Sequence, residues 1–87
     1  MKEITLDVLA SPGCAVCRAF EEFWHSIEKD FPNVKFRHIE VTGPEGQELA
    51  LKYTIMASPG IILNGELFAT GGFNRDDFIA KLKELSV

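Results

Sequence analysis

Two cysteines separated by two residues stand at the point where the chain changes its period. Ile4-Thr5-Leu6-Asp7-Val8-Leu9-Ala10 is apolar and β-branched, which predicts a strand with Ile4, Leu6, Val8 and Ala10 on one face and Thr5, Asp7 and Leu9 on the other. Ser11-Pro12-Gly13 interrupts it. From Cys14 or Ala15 the spacing becomes helical, with Phe20, Phe23, Trp24, Ile27 and Phe31 on one stripe, and this predicts a helix to Asp30. Cys14-Ala15-Val16-Cys17 therefore falls at a strand-to-helix junction, and few small folds place a cysteine pair there.

Thiol–disulfide exchange needs a thiolate attacker and a second thiol near enough to displace the mixed disulfide. Two intervening residues at a helix start bring both sulfurs within bonding reach. Cys14 is the candidate attacker, because unpaired N–H groups and the positive dipole end at a helix N-terminus lower a thiol pKa. Cys17, one turn inside, is the candidate resolving thiol. Arg18 lies four residues from Cys14, where a guanidinium helps to hold a thiolate or extends into solvent. A structural zinc ion would need two more ligands, and His25 and His38 stand on a helix and a strand with no second Cys-x-x-Cys, so no metal is expected. A bond closing so short a loop removes little unfolded-state entropy, so stability alone is a poor reason for the motif.

The rest of the chain supplies a scaffold. Pro32-Asn33 ends the first helix, and Val34–Val41 alternates as a second strand. Thr42-Gly43-Pro44-Glu45-Gly46 reads as a loop before a short helix over Gln47–Tyr53, held by Leu49, Ala50 and Tyr53. Asn64-Gly65 between two apolar runs predicts a hairpin of two antiparallel strands after Ser58-Pro59. Gly71-Gly72-Phe73 leads to Asn74, an N-cap residue with Asp77 three positions on, and Phe78, Ile79, Leu82 and Leu85 form the apolar stripe of a last helix. The order strand, helix, strand, helix, hairpin, helix implies a right-handed parallel βαβ opening and an antiparallel closing hairpin in one sheet.

Length and charge narrow the function. Eighty-seven residues suit one domain spanning 1–87, and 46% apolar residues, seven of them Phe, suffice for one core. A net charge of -4 without a basic stripe argues against a nucleic-acid partner. No apolar run approaches the ~20 residues that cross a bilayer, and Met1-Lys2-Glu3 leads directly into the first strand, so a cytoplasmic, monomeric protein with no membrane partner is expected.

Ser11-Pro12-Gly13-Cys14-Ala15-Val16-Cys17-Arg18 after a strand, Ser58-Pro59 further on, the Asn64-Gly65 hairpin and Gly71-Gly72 before the final helix resemble the thioredoxin and glutaredoxin superfamily along the whole chain. The likeness is greatest to the small thioredoxin-like redox-active disulfide proteins of bacteria and archaea. It implies an α/β thioredoxin fold, βαβαββα, with a four-stranded mixed sheet and helices on both faces. It also implies a cis Ser58–Pro59 bond beside the cysteines, where the backbone of Ser58 pairs with an extended substrate, and contacts to substrate from Gly13, Gly71 and Gly72.

The implied activity is dithiol–disulfide exchange with protein disulfides, reset by a reductase or thiol donor, with no cofactor beyond the Cys14–Cys17 disulfide. Two departures are visible. Val8 stands where thioredoxins carry a buried acid, with Asp7 one position away on the other face, and Gly13 replaces the tryptophan before the first cysteine. Glutaredoxins grip glutathione partly through a lysine whose position is held here by Ser11, while Gly71-Gly72 and Asp76-Asp77 fit their second element, so glutathione stays open as a co-substrate. A non-catalytic thioredoxin-fold binding module is the alternative from another class.

Overall fold

The computed structural model, which describes residues 1–87, places strand β1 (Ile4–Ala10) inside a four-stranded sheet of order β2-β1-β3-β4. β2 (Val34–Glu40) runs parallel to β1 in a register from Ile4↔Val34 to Ala10↔Glu40. β3 (Gly60–Leu63) is antiparallel to β1, and β4 (Glu66–Thr70) is antiparallel to β3. The βαβ opening and the closing hairpin thus share one sheet. Asn64 and Gly65 both adopt positive φ, 50° and 78°, the backbone that a two-residue hairpin turn demands. The Asn64 side chain also fastens the turn to β1, since Thr5 N–H donates to its Oδ1 at 2.9 Å.

Helices α1 (Ala15–Ile27) and α3 (Arg75–Leu85) cover one face, and α2 (Pro44–Tyr53) covers the other. Beneath α1 and α3, Ile4, Leu6, Val8, Ile61 and Leu63 from the sheet pack against Phe20, Phe23, Trp24, Phe78 and Leu82. Beneath α2, the smaller cluster joins Leu9, Ile39 and Ile62 to Leu49, Ala50, Tyr53 and Ile55. β1 lies between the two layers, with Ile4, Leu6 and Val8 in the larger core and Leu9 in the smaller one, while Thr5 stays exposed. No helix is long and apolar enough to cross a membrane.

Three boundaries differ from the sequence reading. α1 stops at Ile27, and Glu28–Asp30 forms a 3-10 turn in place of a last α-helical turn. Pro32 explains this: it disfavours helical backbone at Phe31, whose ψ is 64°, although Phe31 stays buried in the large core. β2 ends at Glu40 rather than Val41. α2 begins three residues earlier than expected, because Pro44 at its first position has φ preset for a helix and needs no N–H partner. Gly46, read from sequence as part of a loop, is inside that helix where α2 crosses β2. A Cβ there would lie 2.1 Å from the Glu40 carbonyl oxygen and 2.7 Å from Val41 Cα.

Candidate redox site

Gly13, with φ of 72°, turns the chain out of β1, and Cys14 takes extended backbone as the N-cap of α1. Its carbonyl accepts from Arg18 N–H at 3.2 Å, and its Sγ accepts from Cys17 N–H at 3.1 Å. The Cys14 sulfur thus does what a serine or aspartate oxygen does at other helix starts. A sulfur placed there gains most when it is negative, because it faces N–H donors and the positive end of the helix dipole. The first turn of α1 contains no acidic residue to oppose this field.

Cys14 and Cys17 are joined by a disulfide, with Cα atoms 5.3 Å apart. Their exposures differ. Cys14 is half-buried, whereas Cys17 is 3% exposed beneath the helix.

The Ser58–Pro59 peptide is cis, and Pro59 is buried while Ser58 is half-buried. Pairing of Leu9 with Gly60 puts this segment at the same end of the sheet as the β1–α1 junction. Neither the N–H nor the carbonyl of Ser58 is hydrogen-bonded within the chain, so both are free for an extended partner. Gly71 N–H donates to the Pro59 carbonyl at 3.0 Å, and Gly71, at φ 75°, packs close to Ala57. Gly72 has open space around its Cα. Gly13, Cys14, Cys17 and Arg18 therefore share one groove, while Ser58, Pro59 and Gly71 form a neighbouring cluster outside it.

That groove, about 370 Å³ in volume, also contains Glu21, Glu22 and Glu40, which sequence reasoning did not single out, and two histidines that it weighed only as metal ligands. Glu21, Glu22 and His25 from α1 line it with His38 and Glu40 from β2, and Arg18 lies exposed among them. His38 bridges two carboxylates, with Nδ1 on Glu21 and Nε2 on Glu40, each at 2.5 Å. Its pKa is raised above the ordinary imidazole value, first by the hydrogen bond to Glu40 and then by that to Glu21. The residue spacing could not reveal this cluster, since Glu21 and His38 belong to different elements. The parallel register Val8↔His38 is what brings them together.

Asp7 lies elsewhere. It accepts from Arg37 Nε at 2.9 Å and from a second guanidinium nitrogen at 3.2 Å, and Arg37 also reaches Glu45 of α2. Asp7 is therefore the anchor of an ion pair on the α2 side, facing away from the cysteines. No group of three or more His, Cys, Asp or Glu side chains is arranged to hold a metal ion.

A family model described as a thioredoxin domain matches residues 4–84. The chain belongs to the thioredoxin family. A thioredoxin of Methanocaldococcus jannaschii is 26% identical over 85 residues, covering 97% of this chain and 98% of its own length. The oxidized mitochondrial thioredoxin 3 of Saccharomyces cerevisiae superposes with a TM-score of 0.73 at 17% identity, over 97% of this chain and 80% of that one. A chain in the complex of ferredoxin:thioredoxin reductase and thioredoxin f2 gives 0.75 at 10% identity, over 99% of this chain and 80% of that one. With the bonded Cys14–Cys17 pair at the start of α1, this thioredoxin-family chain is a dithiol–disulfide oxidoreductase.

Proposed function

We propose that the Cys14 thiolate attacks disulfides of partner proteins and that Cys17 resolves the resulting mixed disulfide, leaving Cys14 and Cys17 oxidised. The observation that carries this reading is the asymmetry of the pair: Cys14 is the accessible N-cap sulfur, and Cys17 is buried one turn inside. The unpaired backbone of Ser58 supports a polypeptide substrate, which adds to the chain's edge as a short strand would. Arg18 adds positive charge to the groove that holds Cys14, and Gly13 and, in the neighbouring cluster, Gly71 and Gly72 present no side chain to an approaching backbone.

A dithiol reductase, rather than glutathione, resets the pair in this reading. Ser11 stands where glutaredoxins carry a glutathione-gripping lysine, which removes one charge-assisted contact to that tripeptide. A reducing compartment such as the cytoplasm fits a disulfide that must be reopened in each cycle.

Replacement of Cys17 by Ser should trap covalent mixed disulfides through Cys14, visible as reductant-sensitive adducts by mass spectrometry. The Cys14→Ser protein should trap none and should not reduce insulin. Adducts that form through Cys17 while Cys14 is absent would reverse the two roles.

A further inference from the structure

When Cys17 resolves a mixed disulfide its thiol must lose a proton, and Cys17 is 3% exposed. The surroundings of Cys17 leave few acceptors. Val8 of β1, Ile61 of β3 and Phe78 of α3, in the core beneath α1, are buried and apolar. Asp7 is turned to the opposite side with Arg37. The ionisable groups that share a groove with Cys17 are Arg18, Glu21, Glu22 and His25 of α1, together with His38 and Glu40 of β2.

Position on the helix separates these. Glu21 is four residues after Cys17, so the two side chains leave the same face of α1 with Cβ atoms about 5–6 Å apart. Glu22 is turned further round and exposed, His25 is paired with Glu28, and an arginine does not act as a base. Glu21 is also the carboxylate held by His38 Nδ1, and its side chain is only 19% exposed.

We propose that Glu21 and His38 form the proton-accepting dyad for Cys17, with Glu21 relaying the proton and His38 storing it. The proposal rests on the assignment of Cys17 as the resolving thiol. Two hydrogen bonds from the imidazole to Glu21 and Glu40 require protons on both ring nitrogens. A neutral His38 keeps its proton towards Glu40 and leaves the slot between Nδ1 and Glu21 empty. That slot receives the proton of Cys17.

The step balances. The Cys17 S–H proton passes through Glu21 to His38, and the Cys17 electron pair attacks Cys14 Sγ. The Cys14–Cys17 bond forms, the bond from Cys14 to the substrate sulfur breaks, and that sulfur departs as a thiolate. The substrate disulfide is reduced by the two electrons that the cysteine pair loses. An imidazole base suits this task better than a lone carboxylate does.

The test is rapid mixing of the fully reduced protein with a chromogenic aromatic disulfide, which releases one coloured thiolate on attack by Cys14 and a second on resolution by Cys17. In the native protein the rate of the second release should rise with pH through an inflection that coincides with the His38 pKa measured by NMR. Glu21→Gln and His38→Gln should each slow the second release about tenfold to a hundredfold at neutral pH and abolish that inflection, with the first release unchanged within about twofold. Glu21→Asp should recover part of the rate. A second release that keeps its rate and its inflection in both folded variants would overturn the dyad. A first release that survives Cys14→Ser would instead overturn the roles of the two cysteines, so the two failures are distinguishable.

Discussion

Cys14 combines two tasks in one atom: its sulfur closes the first turn of α1 by accepting from Cys17 N–H, and the same sulfur is the nucleophile that we propose. A serine keeps the first task and loses the second. Cys14→Ser should therefore abolish exchange while leaving the stability of the reduced protein within about 0.5 kcal/mol, since serine is a preferred N-cap. Asn74 makes the ordinary version of this cap, its Oδ1 accepting from Asp77 N–H at 2.9 Å. Asn74→Ala should cost about 1 kcal/mol by urea unfolding and leave the exchange rate of the reduced protein untouched. The sequence suggests the Asn74 cap, through Asp77 three positions on, and places Cys14 at the helix start without showing that its sulfur caps it. The partner of His38 was not visible, because two glutamates and a histidine in different elements leave no periodic trace. Asp7 shows the complementary limit: alternation gave the face it points to, but only the register Asp7↔Arg37 supplies its partner.

At the scale of elements, apolar periodicity located every helix and strand, and steric detail set their ends. Pro44 opened α2 early and Pro32 closed the first helix early, both through backbone restrictions that a count of apolar residues does not register. Gly46 is the clearest case, since it was read as a loop glycine and proves to be the contact between α2 and the end of β2. The atoms that a methyl group would meet there are backbone atoms, which cannot rotate away. Gly46→Ala should therefore destabilise the protein by about 2 kcal/mol or more, despite alanine's higher helix propensity, and a stabilised variant would show that α2 can move outward at little cost. In the other core, Phe20 lies edge-on to Phe73 and Phe78 with ring centroids 5.0 and 5.1 Å away. Phe20→Ala should cost about 3–5 kcal/mol, a large part of the stability of a domain this small.

For the molecule as a whole, the site is a consequence of topology. A parallel β1–β2 pair sends its connecting helix across one face, and the cysteines lie where that helix begins. The antiparallel return of β3 then brings Ser58-Pro59 to the same end of the sheet. The sheet order follows from the sequence through the crossover rule, whereas the meeting of α1 with the outer strand depends on side chains that reach across that crossover.

The same meeting couples stability to pH. The folded pKa of His38 is raised, so its contribution is fully present below the unfolded imidazole value of about 6.5 and is lost as pH rises through the folded value. The side chain is 42% exposed, which keeps the effect below about 1 kcal/mol. The stability difference between the native protein and His38→Gln should accordingly shrink as pH rises above about 6.5 in urea titrations. A difference that grew with pH would mean that the folded state favours the neutral ring.

Titration of each thiol in the reduced protein, by ultraviolet thiolate absorbance with the other cysteine replaced, tests most directly whether the start of α1 makes Cys14 the nucleophile. The account predicts a Cys14 pKa at least about one unit below the ~8.5 of a free thiol and a Cys17 pKa above it. A Cys14 value at or above ~8.5, or a Cys17 that ionises first, would contradict it.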